Sequence, residues 1–137
     1  MTTVLLVESE PIARNYLKQA LGGDCLFLEA KSAVQALDLC RGHREIDLLV
    51  SDVELGLISG MELASLLRAW LPRLRTILTS DLPCDQWTDR QQTELSELPP
   101  DDVLILERPF TAAEAHAALL QLVRSPMAAV AGASARS

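Results

Sequence analysis

Five short apolar runs punctuate the chain: Val4-Leu5-Leu6-Val7, Cys25-Leu26-Phe27-Leu28, Leu48-Leu49-Val50, Ile77-Leu78 and Val103-Leu104-Ile105-Leu106. None alternates apolar with polar residues, so none is suited to a sheet with one face in water. Runs of this kind are strands covered on both faces, the habit of parallel sheets. Between them lie segments of helical periodicity. Ile12, Tyr16, Leu17, Ala20 and Leu21 follow a Pro11 that a first turn accepts, and Gly22-Gly23 stop them. Ser32 is a helix cap ahead of Ala33, Leu37 and Cys40, with an end near Gly42. A loop from Gly56 to Gly60 leads into a helix over Met61–Leu71 that Pro72 prevents from extending. Residues 84–97 predict a polar helix anchored by Trp87, Leu95 and Leu98 and broken by Pro99-Pro100. Thr111 caps a last helix through Ala115, Leu119, Leu122 and Val123.

Strands alternating with helices predict one doubly wound α/β domain, a five-stranded parallel sheet with right-handed crossovers and helices on both faces. At 137 residues the chain holds one such core and not two. The domain is expected over 1–125, followed by a low-complexity tail, 126–137, that lacks the apolar bulk to offset its ordering entropy.

A net charge of -7 argues against nucleic acid or an anionic membrane as a direct partner. No apolar run approaches the roughly 20 residues of a membrane span. The chain opens on a strand pattern rather than a leader, and its three widely spaced cysteines read as reduced thiols, so a cytoplasmic location is expected. His43 and His116 have no second ligand at metal spacing, and Trp70 and Trp87 read as packing or interface residues.

In open parallel sheets the functional crevice lies beyond the carboxyl ends of the strands. Here those ends carry Glu8-Ser9-Glu10, Asp52, Thr79-Ser80-Asp81 and Glu107-Arg108-Pro109-Phe110. Carboxylates, a hydroxyl and a cation at one edge suit a hard divalent cation and a phosphoryl group. Taken singly, Asp52 also fits a turn-initiating carboxylate, Glu8 and Glu10 fit solvated first-turn acids, and Ser80 fits a backbone-bonding hydroxyl.

At these strand ends the sequence resembles the receiver domains of two-component response regulators, over about residues 4–124. Val7-Glu8-Ser9-Glu10-Pro11 matches the family's acidic-pair motif, Asp47 to Asp52 its acceptor strand, Ser59-Gly60-Met61-Glu62-Leu63 the start of its third helix, Ser80 its Thr/Ser position and Arg108-Pro109-Phe110 its Lys-Pro-Phe. The resemblance implies a flavodoxin-like fold of strand order 2-1-3-4-5. It implies a signalling module rather than an enzyme, in which Asp52 accepts a phosphoryl group from a histidine kinase, phosphotransfer protein or small phosphodonor. Ser80 and Arg108 would hold phosphoryl oxygens, and Mg²⁺ would be bound by Glu8, Asp52, the Glu54 backbone carbonyl and, weakly, Ser9.

The pattern also departs from the family. Ser9 replaces a carboxylate ligand, so a weak metal site is expected; Arg108 replaces the lysine; Gly56 replaces a proline, predicting a more flexible loop; Asp81 replaces a small residue, with a charge that opposes an anionic donor; and Ile105 replaces the aromatic of the hydroxyl-to-aromatic switch. Ser9, Asp81 and Ile105 favour the alternative of a pseudo-receiver, an interaction module that works without phosphorylation. A small flavodoxin-like enzyme or cofactor binder is a third expectation, because fold alone does not fix function.

Overall fold

The structure is a computed structural model that describes residues 1–43 and 45–130. Five strands, β1 (Thr2–Val7), β2 (Cys25–Ala30), β3 (Leu48–Asp52), β4 (Arg75–Ser80) and β5 (Val103–Glu107), form one sheet. All pair in parallel, in the order β2-β1-β3-β4-β5. The expected topology is therefore the observed one.

Successive strand residues feed opposite layers. Val4, Leu6, Leu48, Val50 and Ile77 pack under helices α1 (Pro11–Leu21) and α5 (Ala112–Val130), with Leu17, Leu21, Leu119 and Leu122. Leu5, Val7, Leu49 and Leu78 pack under α2 (Ala33–Gly42), α3 (Gly60–Arg68) and the segment carrying α4 (Asp89–Ser96), with Met61, Leu63, Leu67 and Trp87. The three central strands, β1, β3 and β4, are buried on both faces along almost their whole length, which is why their apolar runs do not alternate.

Side-chain oxygens start the helices where the sequence expects them. Ser32 accepts from the Gln35 amide, and Thr111 and Glu114 exchange side-chain-to-backbone bonds in a capping box.

Three segments differ from expectation. The third helix stops at Arg68 rather than Leu71, because Pro72 has no amide to continue it and disfavours the helical conformation in the residue before it. The segment 84–97 is not one helix. A 3₁₀ turn at Cys84–Gln86 gives way to extended backbone at Trp87, and α4 begins only after Thr88, whose hydroxyl accepts from the Gln91 amide. Trp87, at the break, is buried to 5% exposure. Finally, α5 runs to Val130, past the expected boundary at Ser125. Pro126 has no amide hydrogen to give the Leu122 carbonyl, and Arg75 Nη1 donates to that carbonyl instead. Residues 131–137 of the expected tail lie outside the described residues.

Candidate functional site

Asp52 is the last residue of β3, where the chain leaves the sheet. Its Oδ1 accepts the Glu54 amide at 3.0 Å, which folds the following loop back over the carboxylate. Gly56 sits in that loop at φ 102°, a left-handed conformation that glycine adopts without strain, so this turn needs Gly where a proline could not stand. Gly60 then opens α3 against the strand. A Cβ there would run into the Asp52 carbonyl oxygen and come within 3.0 Å of Ser51 Oγ.

Glu8, one residue beyond β1, is buried to 6% exposure. Its Oε2 accepts the Glu10 amide at 3.1 Å, and Arg14 Nη1 donates to the Glu8 carbonyl at 2.8 Å. Ser9 is exposed, and its carbonyl takes a longer bond of 3.4 Å from the same guanidinium.

Arg108 follows β5 and crosses the pocket. Its Nη2 donates to Asp52 Oδ2 at 2.6 Å and to Thr79 Oγ1 at 3.0 Å, and lies 3.8 Å from Glu8 Oε1. Its Nη1 donates to Asp81 Oδ1 at 3.1 Å. The backbone supports this reach, since the Arg108 amide donates to the Ser80 carbonyl at 2.7 Å. Tyr16 of α1 adds a second tie through its hydroxyl, which donates to the Phe110 carbonyl at 2.9 Å. Burial works against the guanidinium's charge, but Asp52 and Asp81 more than offset it, so its pKa is pushed above an already high value and it stays a cation.

Ser80 is buried to 5% exposure and turned to other partners. Its hydroxyl donates to the Leu82 carbonyl at 2.8 Å and accepts both the Leu82 amide at 3.1 Å and the Trp87 indole N–H at 3.2 Å. One donor and two lone pairs are all that a serine hydroxyl has, so Ser80 is fully engaged.

The structure thus brings Glu8, Asp52 and Arg108 together, and leaves Ser80 one residue along the same strand with its hydrogen bonds spent on Leu82 and Trp87. It adds two residues to the Arg108 cluster. Thr79 reads in the sequence as one strand residue among several, with only its neighbourhood to Ser80 as a signal. Asp81, read as a charge facing incoming donors, is ion-paired to Arg108. Trp87 joins Ser80 from the far side of the 81–86 turn, and nothing in its spacing announces that bond. Among the described residues, no group of three or more His, Cys, Asp or Glu side chains is placed to hold a metal ion. Two carboxylates, however, converge on one cationic nitrogen. That oxygen-only pair fits a hydrated hard cation, which keeps several of its own waters and takes one or two carboxylates.

A family model described as the response regulator receiver domain matches residues 4–89. Solved structures share the fold. The signal receiver domain of an HD domain-containing protein from Pseudomonas fluorescens Pf-5 is 23% identical, with 93% of this chain and 98% of that chain covered at a TM-score of 0.77. A response regulator receiver protein from Sinorhizobium medicae WSM419 is 23% identical, with 90% and 92% covered at 0.71. A response regulator protein from Burkholderia pseudomallei, solved with a phosphorylated aspartic acid, calcium ion and citrate, is 16% identical, with 98% and 74% covered at 0.69. In a sequence search no curated protein matches. No helix among the described residues is long and apolar enough to cross a membrane.

Proposed function

Since the chain belongs to the response regulator receiver domain family, we propose that it accepts a phosphoryl group on Asp52 from a histidine kinase or phosphotransfer protein and thereby switches its protein contacts. The observation that carries this reading is the seat of Arg108 on Asp52 Oδ2 at 2.6 Å, at the carboxyl end of the central strand. Arg108 Nη2 thus pairs with the acceptor side chain while lying 3.8 Å from the buried Glu8 Oε1.

In the transfer, a carboxylate oxygen of Asp52 forms the new O–P bond in line with the P–N bond to the donor imidazole. That bond's electron pair leaves with the imidazole. Arg108 moves from the carboxylate to a phosphoryl oxygen, and Thr79 holds the same terminal nitrogen, Nη2. To donate to a second phosphoryl oxygen, Ser80 would give up the Leu82 carbonyl and turn from the Trp87 side of β4, while the Trp87 indole keeps its bond to the Leu82 carbonyl. Glu8, Asp52 and the Glu54 carbonyl would hold Mg²⁺, with Ser9 as a weak ligand. When bound, the cation neutralises charge that develops on the phosphoryl oxygens.

The test is intact mass after incubation with phosphoramidate and Mg²⁺, beside Asp52→Ala. An adduct of one phosphoryl group in wild type and none in the variant is expected. An adduct that survives the substitution would place the acceptor elsewhere.

The saturated hydroxyl of Ser80 favours a second reading, the pseudo-receiver. A folded wild type that takes no adduct at any donor concentration, while a Ser9→Asp variant does, would select it.

A further inference from the structure

We propose that Asp81 is a positioning residue of the acceptor site: it holds the outer nitrogen of Arg108 so that the guanidinium stays seated on Asp52, in competition with a divalent cation for the same carboxylate. The proposal rests on the cation site suggested above and concerns how that site is filled.

The argument starts from the planar fork. Arg108 spans two carboxylates with its two terminal nitrogens, Nη2 on Asp52 Oδ2 and Nη1 on Asp81 Oδ1. A guanidinium presents its donors in fixed relative directions, so fixing one nitrogen restricts the other, which a single ammonium does not do. Thr79, buried at 1% exposure, accepts from the inner nitrogen and sets the depth to which the fork enters. The Asp81 side chain is 81% exposed, while that of Arg108 is only 28% exposed. Asp81 therefore lies on the solvent side of a partly enclosed cation.

A divalent cation on Asp52 Oδ2 requires Nη2 to withdraw, because both claim one oxygen and carry like charge. Any contact made only by the seated guanidinium lowers the population of the cation-ready site, and with it the apparent affinity. Asp81 makes such a contact. Its negative charge would by plain Coulomb attraction do the reverse and favour a nearby cation. The two effects have opposite signs, so one substitution separates them.

The probe is Mn²⁺, titrated at fixed ionic strength and followed by the electron paramagnetic resonance of the unbound ion, with Mg²⁺ as competitor. The proteins are the full chain, Asp81→Asn, Arg108→Lys, the double variant and Asp52→Ala. Asp81→Asn should tighten binding roughly two- to fivefold, equivalent to about 0.4–1 kcal/mol. In the Arg108→Lys background the same substitution should no longer tighten it, because a single ammonium has no second nitrogen for Asp81 to hold. Asp52→Ala should abolish binding. If Asp81→Asn leaves affinity unchanged or weakens it while Asp52→Ala still abolishes binding, the clamp is overturned and the cation site stands. If no protein binds the ion, or binding survives Asp52→Ala, the cation site itself fails and the clamp with it.

Discussion

The indole nitrogen of Trp87 lies 3.2 Å from Ser80 Oγ and 3.1 Å from the Leu82 carbonyl, so one buried N–H ties the end of β4 to the turn before α4. The Ile105 position, where the family's aromatic would stand, is aliphatic, and the hydroxyl takes its aromatic partner from a different segment. Trp87→Phe keeps one aromatic ring in the cavity and deletes the donor, which should cost about 1 kcal/mol for the hydrogen bond together with the packing of the lost ring. Trp87→Ala should cost about 3–5 kcal/mol, as a large core side chain lost to a cavity. Urea denaturation at an unchanged slope measures both. Equal losses in the two variants would mean that the hydrogen bond, and not the packing, dominates.

Gly60 is required where α3 starts. A methyl group there meets the Asp52 carbonyl oxygen, a backbone atom that cannot give way without moving the acceptor strand, and comes close to Leu78 Cδ2. Gly60→Ala should lower stability by about 1–3 kcal/mol, the range for overpacking. Amide chemical shifts of Asp52, Val53 and Glu54 should move with it. A thermal midpoint equal to wild type would contradict the close approach.

Ser9 should account for weak metal binding. It is exposed, and it offers a neutral oxygen where a carboxylate would contribute roughly 4 kcal/mol of attraction at about 4 Å and an effective dielectric near 20, much of it cancelled by dehydration. Ser9→Asp is expected to tighten Mg²⁺ binding roughly ten- to thirtyfold. It should also lower stability without metal, because a further carboxylate crowds Glu8 and Asp52. Thermal melts with and without millimolar Mg²⁺ read both signs together. An equal gain from Mg²⁺ in wild type and variant would mean that Glu8 or Glu10 already serves as the missing ligand.

The segment after Ser125 should be dispensable. Ala115, Ala118, Leu119 and Leu122 bury α5 against the core, and the sequence after Ser125 carries little apolar bulk. Arg75 satisfies the Leu122 carbonyl whether or not Pro126 is present. Truncation after Ser125 should leave the thermal midpoint within a few degrees of the full chain. A fall of ten degrees or more would show that the removed residues support the core.

The two-faced core and the edge that carries Asp52 were legible in the sequence because they follow from short-range facts, whereas the strand order came from the resemblance to the receiver family. An apolar run without alternation must be covered twice, a proline or glycine ends a helix wherever it falls, and a parallel sheet gathers its strand ends at one edge. Glu8, Asp52 and Arg108 could be assigned to that edge from position alone. What each side chain does there was decided by the tertiary structure, because a hydrogen bond depends on directions and distances that spacing does not encode. Ser80 and Thr79 are neighbours on β4 and point to opposite sides of it, so one hydroxyl meets Arg108 and the other meets Trp87. Asp81 is a bare charge in the sequence and becomes the outer anchor of a guanidinium only because β4 and β5 end side by side, with Ser80 paired to Glu107.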